Sequence, residues 1–331
     1  MVGANWMKAI VNTAPEHLEW REWPMPQPLR GQVRIRTTAC GICATDLEMI
    51  AGWERTGFPS ICGHEWAGVV DSVGDEVDAK LVGKPCVGEN VLSNGDEVGF
   101  EQPGGYAQYL LTEAANVRLL PVEFALSSAV MIEPLAVCVR ALRRLRLENT
   151  EAALIIGDGP IGQLMLLLLK LHGVARVMMV GGRQNRLALA RQLGAACTVD
   201  FHDAASGELG PFLREELGGE FPSVIEASGS DSGIRAALDL AMRGGKILVV
   251  GDYRKARADF PWNRILHREL ELIGSNASAG SWDEAVQLAV SGDVPLHRLI
   301  SRIIAADSFH EAIALSRDGD NVLKVVLQWP V

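Results

Sequence analysis

The chain has 331 residues, a formal net charge of -10, 48% hydrophobic and 22% charged residues; this is more than one hydrophobic core usually organises, in an ordinary globular composition, which excludes disordered, collagenous and disulfide-scaffold classes and favours two domains, one interrupted by the other. The acidic balance excludes nucleic acid as the main partner, because the only basic cluster, Arg140, Arg143, Arg144 and Arg146, falls on and around one helix and reads as a solvated face. Leu164 to Leu169 is too short an apolar run to span a bilayer, six irregularly spaced cysteines make no disulfide framework, and no leader pattern is visible, so the expected location is the cytoplasm, without membrane attachment.

In chain order, the first part carries short β-type runs, Gln32 to Cys40, Gly68 to Gly74 and Tyr106 to Thr112, separated by Gly and Pro clusters. That texture predicts an irregular antiparallel, barrel-like domain. After Glu133 apolar strands alternate with helices: Ala152 to Ile156, a helix to His172, Arg176 to Val180, a helix to Leu193, then strands at Ser223 to Ser228 and Lys246 to Val250. Alternation of this kind predicts a parallel sheet covered by helices on both faces. Beyond Gly274 come a helix at Trp282 to Ser291, a second at Phe309 to Arg317 and a terminal strand at Val322 to Gln328. The expected division is therefore 1–134 with 275–331 as one domain, and 135–274 inserted between them.

The strand ending at Ile156 runs into Gly157-Asp-Gly159-Pro160-Ile161-Gly162, which opens the next helix. In such a loop the first glycine permits a tight turn, the second lets backbone approach a pyrophosphate, and the third allows close helix–sheet packing, with the helix N-terminus facing the negative charge. A bare match of this pattern is weak, but the strand before it, the helix after it and the following strand support a dinucleotide site. An acidic residue about twenty positions on normally accepts the ribose 2′-hydroxyl of NAD. Here the strand ends in Gly181-Gly182-Arg183, without a carboxylate; Arg183 is placed to meet a 2′-phosphate, which puts NADP ahead of NAD, or it faces solvent in a loose loop with NAD still bound.

Two further stretches carry metal-ligand chemistry. Cys40-Gly-Ile-Cys43-Ala-Thr45-Asp46 and Cys62-Gly-His64-Glu65, with Glu133 at the far edge of the domain, offer the thiolate, imidazole and carboxylate that zinc takes in catalytic sites. Each alone reads more readily as buried small residues or a core histidine, and it is their combination with the cofactor loop that points to a metal.

The segments GIC-ATD, GHEWAGVV, GGYAQYL at Gly104 to Leu110, MIEPLAV at Met131 to Val137 and IIGDGPIG, in this order along essentially the whole chain, resemble the zinc-containing medium-chain dehydrogenase/reductase superfamily. Glu133 followed by Pro-Leu resembles its polyol (sorbitol) and threonine dehydrogenase branch. The resemblance implies an α/β protein with a GroES-like β-barrel catalytic domain and a Rossmann doubly wound parallel-sheet cofactor domain. It implies Cys43 and His64 as ligands of one catalytic zinc, with Glu65 or Glu133 as the third, Asp46 as the carboxylate that orients His64, and Thr45 as the hydroxyl that meets the substrate oxygen. Where relatives often relay the proton through a His, this chain has Glu48, and Glu65 is a further candidate for catalysis. Where many relatives carry four closely spaced cysteines for a structural zinc, Lys84 to Gly105 holds only Cys86, so no structural zinc is expected. The implied activity is oxidation of a small secondary alcohol (a polyol, cyclitol or amino alcohol) to a ketone, in a homodimer or homotetramer. The alternatives are a zinc-free NADPH-dependent quinone-reductase-like enzyme and a non-catalytic nucleotide-binding relative.

Overall fold

Strands that bury every second side chain build the first part of the chain. In a computed structural model, which describes residues 6–53, 55–204, 209–320 and 322–330, β1 (Trp6–Ala14) and β2 (His17–Pro24) form an antiparallel hairpin. β3 (Gln32–Gly41) turns Val33, Ile35, Thr37 and Ala39 inward in strict alternation, as a half-buried strand must. α1 (Ala44–Ile50) follows, then β4 (Glu65–Val73), β5 (Pro85–Gly88), β6 (Tyr109–Glu113), β7 (Val117–Leu119), α2 (Leu126–Ala129) and α3 (Ile132–Leu145). β4 starts before the predicted run, and this brings Glu65 into the ladder opposite Gly41.

The second part alternates strand and helix: β8 (Ala152–Ile156), α4 (Pro160–Leu171), β9 (Arg176–Gly181), α5 (Gln184–Gln192), β10 (Cys197–Asp200), α6 (Leu209–Leu217), β11 (Phe221–Glu226), α7 (Asp231–Leu240), β12 (Ala241–Val249), α8 (Asn263–Arg268) and β13 (Glu271–Gly274). Its six strands are all parallel, in the order β10-β9-β8-β11-β12-β13. Numbered from β8 this is 3-2-1-4-5-6, the doubly wound Rossmann order, with its crevice where the order reverses, at the carboxyl ends of β8 and β11. Leu154, Val224, Leu238 and Ile247 pack the core on one face.

The chain ends with α9 (Trp282–Ser291), β14 (Arg302–Ala305), α10 (Phe309–Asp318) and β15 (Val325–Gln328). β14 and β15 join the seven-stranded sheet of the first part, ordered β14-β15-β3-β4-β5-β7 with β6 on β3. Ile10, Ile35, Leu110, Leu327 and Trp329 share that unit's core. One compact unit therefore holds the described residues of 1–133 and 282–331, and the other those of 134–281.

Residues 275–281, expected with the first unit, belong to the second, and the arginines of α3 show why. Arg140 donates to the Ala279 carbonyl at 2.9 Å, Arg143 to Gly280 at 2.6 Å and Arg144 to Gly274 at 2.7 Å, while Arg146 pairs with Glu271 at 3.0 Å. These side chains clamp a segment and are not the merely solvated face expected of them. Among the described residues no helix is long and apolar enough to cross a membrane.

Candidate active site

Three strand ends create the metal-type cluster. Gly41 at the end of β3 pairs with Glu65 at the start of β4 on one side and with Val326 of β15 on the other. Cys43, two residues past β3, His64, one before β4, and Lys324, one before β15, therefore emerge at the same edge. One ligand atom each from Cys43, His64 and Glu65 lies within 4.8 Å of the other two. A tetrahedral zinc with bonds of about 2.0–2.3 Å needs ligand separations of about 3.3–3.8 Å, within reach of small side-chain rotations. Glu133, in the first turn of α3, stands outside this trio but in the same electrostatic pocket.

Asp46 organises the cluster. It is completely buried, and its Oδ2 accepts the Cys43 backbone N–H at 2.8 Å, capping α1, while Oδ1 accepts the Gly63 N–H at 3.1 Å. The same Oδ1 lies 3.2 Å from His64 Nδ1, off the line of a good hydrogen bond. One carboxylate thus ties both ligand loops together and faces the imidazole, as ligating histidines require. Burial pushes the His64 imidazole down, but Asp46 and the Cys43 thiol outweigh it and hold the ring well above its ordinary value. The donor set fits zinc: a thiol, an imidazole oriented from behind, and carboxylates.

Lys324 is the residue that pattern reading missed. Its Nζ lies 2.6 Å from each Glu65 oxygen and 3.2 Å from the Ile42 carbonyl, and the side chain is only 3% exposed. Burial pushes this ammonium down, yet Glu65 and Cys43 hold it above the usual lysine value. The signal was present: a charged residue flanked by Val322, Leu323, Val325 and Val326 in a buried strand needs a buried partner. Glu133 answers to the same charges. Burial, then Glu65 and Asp46, push its carboxyl up to about 7 against the opposing pull of His64 and Lys324.

Thr45 and Glu48 lie one turn apart on α1, both partly buried, and the Cys43 thiol points at Thr45 Oγ1 from 3.7 Å. Cys40 packs in the core, its thiol raised by burial. Side chains hold together the lobe at residues 89–104. Asp96 accepts from Asn94 and Gln102 at 2.9 and 2.7 Å, Arg55 reaches Glu97 and Glu101 at 2.8 Å each, and its guanidinium sits 4.4 Å above the Phe100 ring. Phe100 in turn lies 5.0 Å from the His64 ring, setting an apolar wall against the imidazole. Trp66 is core, donating to Asn90 at 3.0 Å. Arg55→Ala is expected to cost about 1 kcal/mol, from two partly buried ion pairs and a cation–π contact. Faster hydrogen exchange across the lobe, with the six-stranded sheet unchanged, is the measurement that checks it.

The glycine loop in the second unit has the geometry the motif requires. Gly157 has φ +123°, and a Cβ there would lie 2.7 Å from the carbonyl carbon of Ala227, the residue just past β11. A Cβ on Gly162 would collide with the Gly157 carbonyl, whereas one on Gly159 would meet nothing within 4 Å. The second glycine therefore borders open space at the N-terminus of α4, with Pro160 and Ile161 completing the turn, where a pyrophosphate fits. At the tip of β9 the expectation of no carboxylate fails. Asp158, from the loop itself, reaches across so that its Oδ2 accepts the backbone N–H groups of Gly182 and Arg183, both at 2.9 Å.

Residues 160–291 match the zinc-binding dehydrogenase family and residues 29–122 the alcohol dehydrogenase GroES-like domain. The D-arabitol-phosphate dehydrogenase of Enterococcus avium is 29% identical over 97% of both chains. An L-threonine 3-dehydrogenase of Chelativorans sp. is 29% identical over 98% of this chain and 99% of its own. A crystal structure of an Escherichia coli CFT073 alcohol dehydrogenase with NADH superimposes with a TM-score of 0.90 at 26% identity, covering 98% of this chain and 100% of the other. With both family domains in order around this cluster and this loop, the chain belongs to the zinc-containing medium-chain dehydrogenase/reductase superfamily, in its polyol and threonine dehydrogenase branch.

Proposed function

We propose that the chain is a zinc-dependent, nicotinamide-linked dehydrogenase that oxidises a secondary alcohol of the polyol, cyclitol or amino alcohol class to a ketone. The observation that carries this reading is the convergence of Cys43, His64 and Glu65 within 4.8 Å in a chain whose glycine loop opens a Rossmann helix. Cys43, His64 and Glu65 would hold the zinc, with Glu133 as an alternating or water-bridged ligand. Zinc, when bound there, supplies the Lewis acidity that lowers the pKa of a substrate hydroxyl, as it does for water from about 15.7 to about 7.

The protein's own groups do the rest. Thr45 accepts the hydrogen bond of the substrate hydroxyl and hands its proton on towards solvent, with Glu48, one turn further along α1, as the next acceptor. A nicotinamide dinucleotide held at Gly157, Gly159 and Gly162 would supply the acceptor for the hydride of the carbinol carbon, and in the ketone-reducing direction Thr45 would return the proton. Asp46 fixes the His64 ring, Lys324 balances the Glu65 charge, and Phe100 keeps water off the imidazole.

The test is a panel of polyols, cyclitols, amino alcohols and simple secondary alcohols, assayed with NAD and NADP before and after chelation. Chelator-sensitive oxidation of a diol or polyol, restored by zinc, is the expected result. Turnover indifferent to chelation, with no zinc in the purified protein, would put a zinc-free reductase in its place, and no turnover on any member would point to a non-catalytic relative.

A further inference from the structure

The usual acidic residue at the tip of the second Rossmann strand is absent here, and Gly181 closes β9. Asp158 fills the vacated space. A Cβ on Gly181 would lie 2.7 Å from Asp158 Cγ, so the glycine on the strand and the carboxylate in the loop presuppose each other. The Asp158 side chain is only 6% exposed. Its Oδ2 holds the N–H groups of Gly182 and Arg183 at 2.9 Å, while Oδ1 faces Arg186 Nη1 at 3.6 Å and Arg183 Nη1 at 3.9 Å. Those two contacts are longer than hydrogen bonds, so Oδ1 keeps acceptor capacity.

We propose that Asp158 selects the cofactor: it takes the adenine ribose 2′-hydroxyl of NAD(H) and turns away the 2′-phosphate of NADP(H). The inference rests on the dinucleotide reading above and reverses the preference expected from Gly182 and Arg183 alone. A hydroxyl is a donor and needs the carboxylate that Asp158 presents. A phosphate has only acceptors at neutral pH and needs N–H groups and unbalanced cations. The two backbone N–H groups at this tip are already engaged by Asp158. The same carboxylate offsets the charge of Arg183 and Arg186, and Asp200, opposite Gly181 in the sheet, lies 2.8 Å from the His202 ring. A Cβ on Gly182 would also meet the Phe201 ring and come within 2.8 Å of His202 Cε1, so these two side chains crowd the tip at Gly182.

The experiment is fluorescence titration of the purified protein with NADH and with NADPH, for the parent, Asp158→Ser, Asp158→Asn and Arg183→Ala. The parent is expected to bind NADH about 10- to 100-fold more tightly than NADPH, the range of a charge-assisted hydrogen bond. Asp158→Ser is expected to narrow or invert that ratio by strengthening NADPH, Asp158→Asn to narrow it, and Arg183→Ala to preserve it. A purely structural carboxylate would weaken both nucleotides together and leave the ratio unchanged, and that result overturns the proposal. A parent that prefers NADPH overturns it without any variant, which covers the case in which Asp158 variants fail to fold. Binding of both nucleotides without preference sinks this inference alone, whereas binding of neither sinks the dehydrogenase reading with it.

Discussion

Cys43→Ser will remove stoichiometric zinc and lower kcat by about a thousandfold or more, while the dissociation constant for the nicotinamide dinucleotide stays within about twofold of the parent. The size follows from the chemistry: Lewis-acid stabilisation of a developing alkoxide is worth several kcal/mol, and each 1.36 kcal/mol is about tenfold in rate. The selectivity follows from the fold. Cys43 sits in the unit built on the seven-stranded sheet, whereas Gly157, Gly159 and Gly162 belong to the unit holding 134–281. Cys43 also begins α1 through its backbone N–H to Asp46, a bond that serine keeps, so the variant should fold. Metal analysis, single-turnover hydride transfer and nucleotide titration on one preparation check all three statements. Zinc retained with full turnover would exclude Cys43 as a ligand and with it the cluster as the reaction centre.

How much of this was legible in the sequence depended on whether function lay in the backbone pattern or across it. β8, α4 and α9 were readable because glycines punctuate them and their apolar residues keep one period, and His64 with Cys43 was readable because ligand chemistry restricts residue type. The β1 and β2 hairpin escaped because β2 is exposed along much of its length, with Glu19, Trp20, Arg21 and Glu22 facing outward in part, so neither turn chemistry nor an apolar face announced it. Asp158 was hidden for a different reason. It occupies a variable place in the glycine motif, and only the approach of Gly181 shows that a loop side chain stands where a strand side chain was sought. Phe100 and Arg55 are brought together by the lobe's hydrogen bonds, which no spacing rule encodes.

Lys324→Met is the change expected to cost most in stability. A methionine fits the apolar surroundings of Val325 and Val326 but leaves Glu65, 1% exposed, without the cation that touches both its oxygens. Removing one partner of a buried ion pair typically costs about 3–5 kcal/mol, because the remaining charge is uncompensated; removing both is often neutral. Urea unfolding should therefore show a large loss for Lys324→Met and a partial recovery in Lys324→Met with Glu65→Gln. Because a bound divalent cation would replace the missing positive charge, added zinc should recover more stability for Lys324→Met than for the parent. If the single variant is as stable as the parent, Glu65 does not depend on Lys324 and its role in the cluster has to be carried by Glu133. If the single variant falls and the double variant falls equally, the loss comes from packing around the lysine stem and not from the charge on Glu65. The pair thus tests whether the sheet edge at Gly41 holds a charged site in balance or only a tightly packed one.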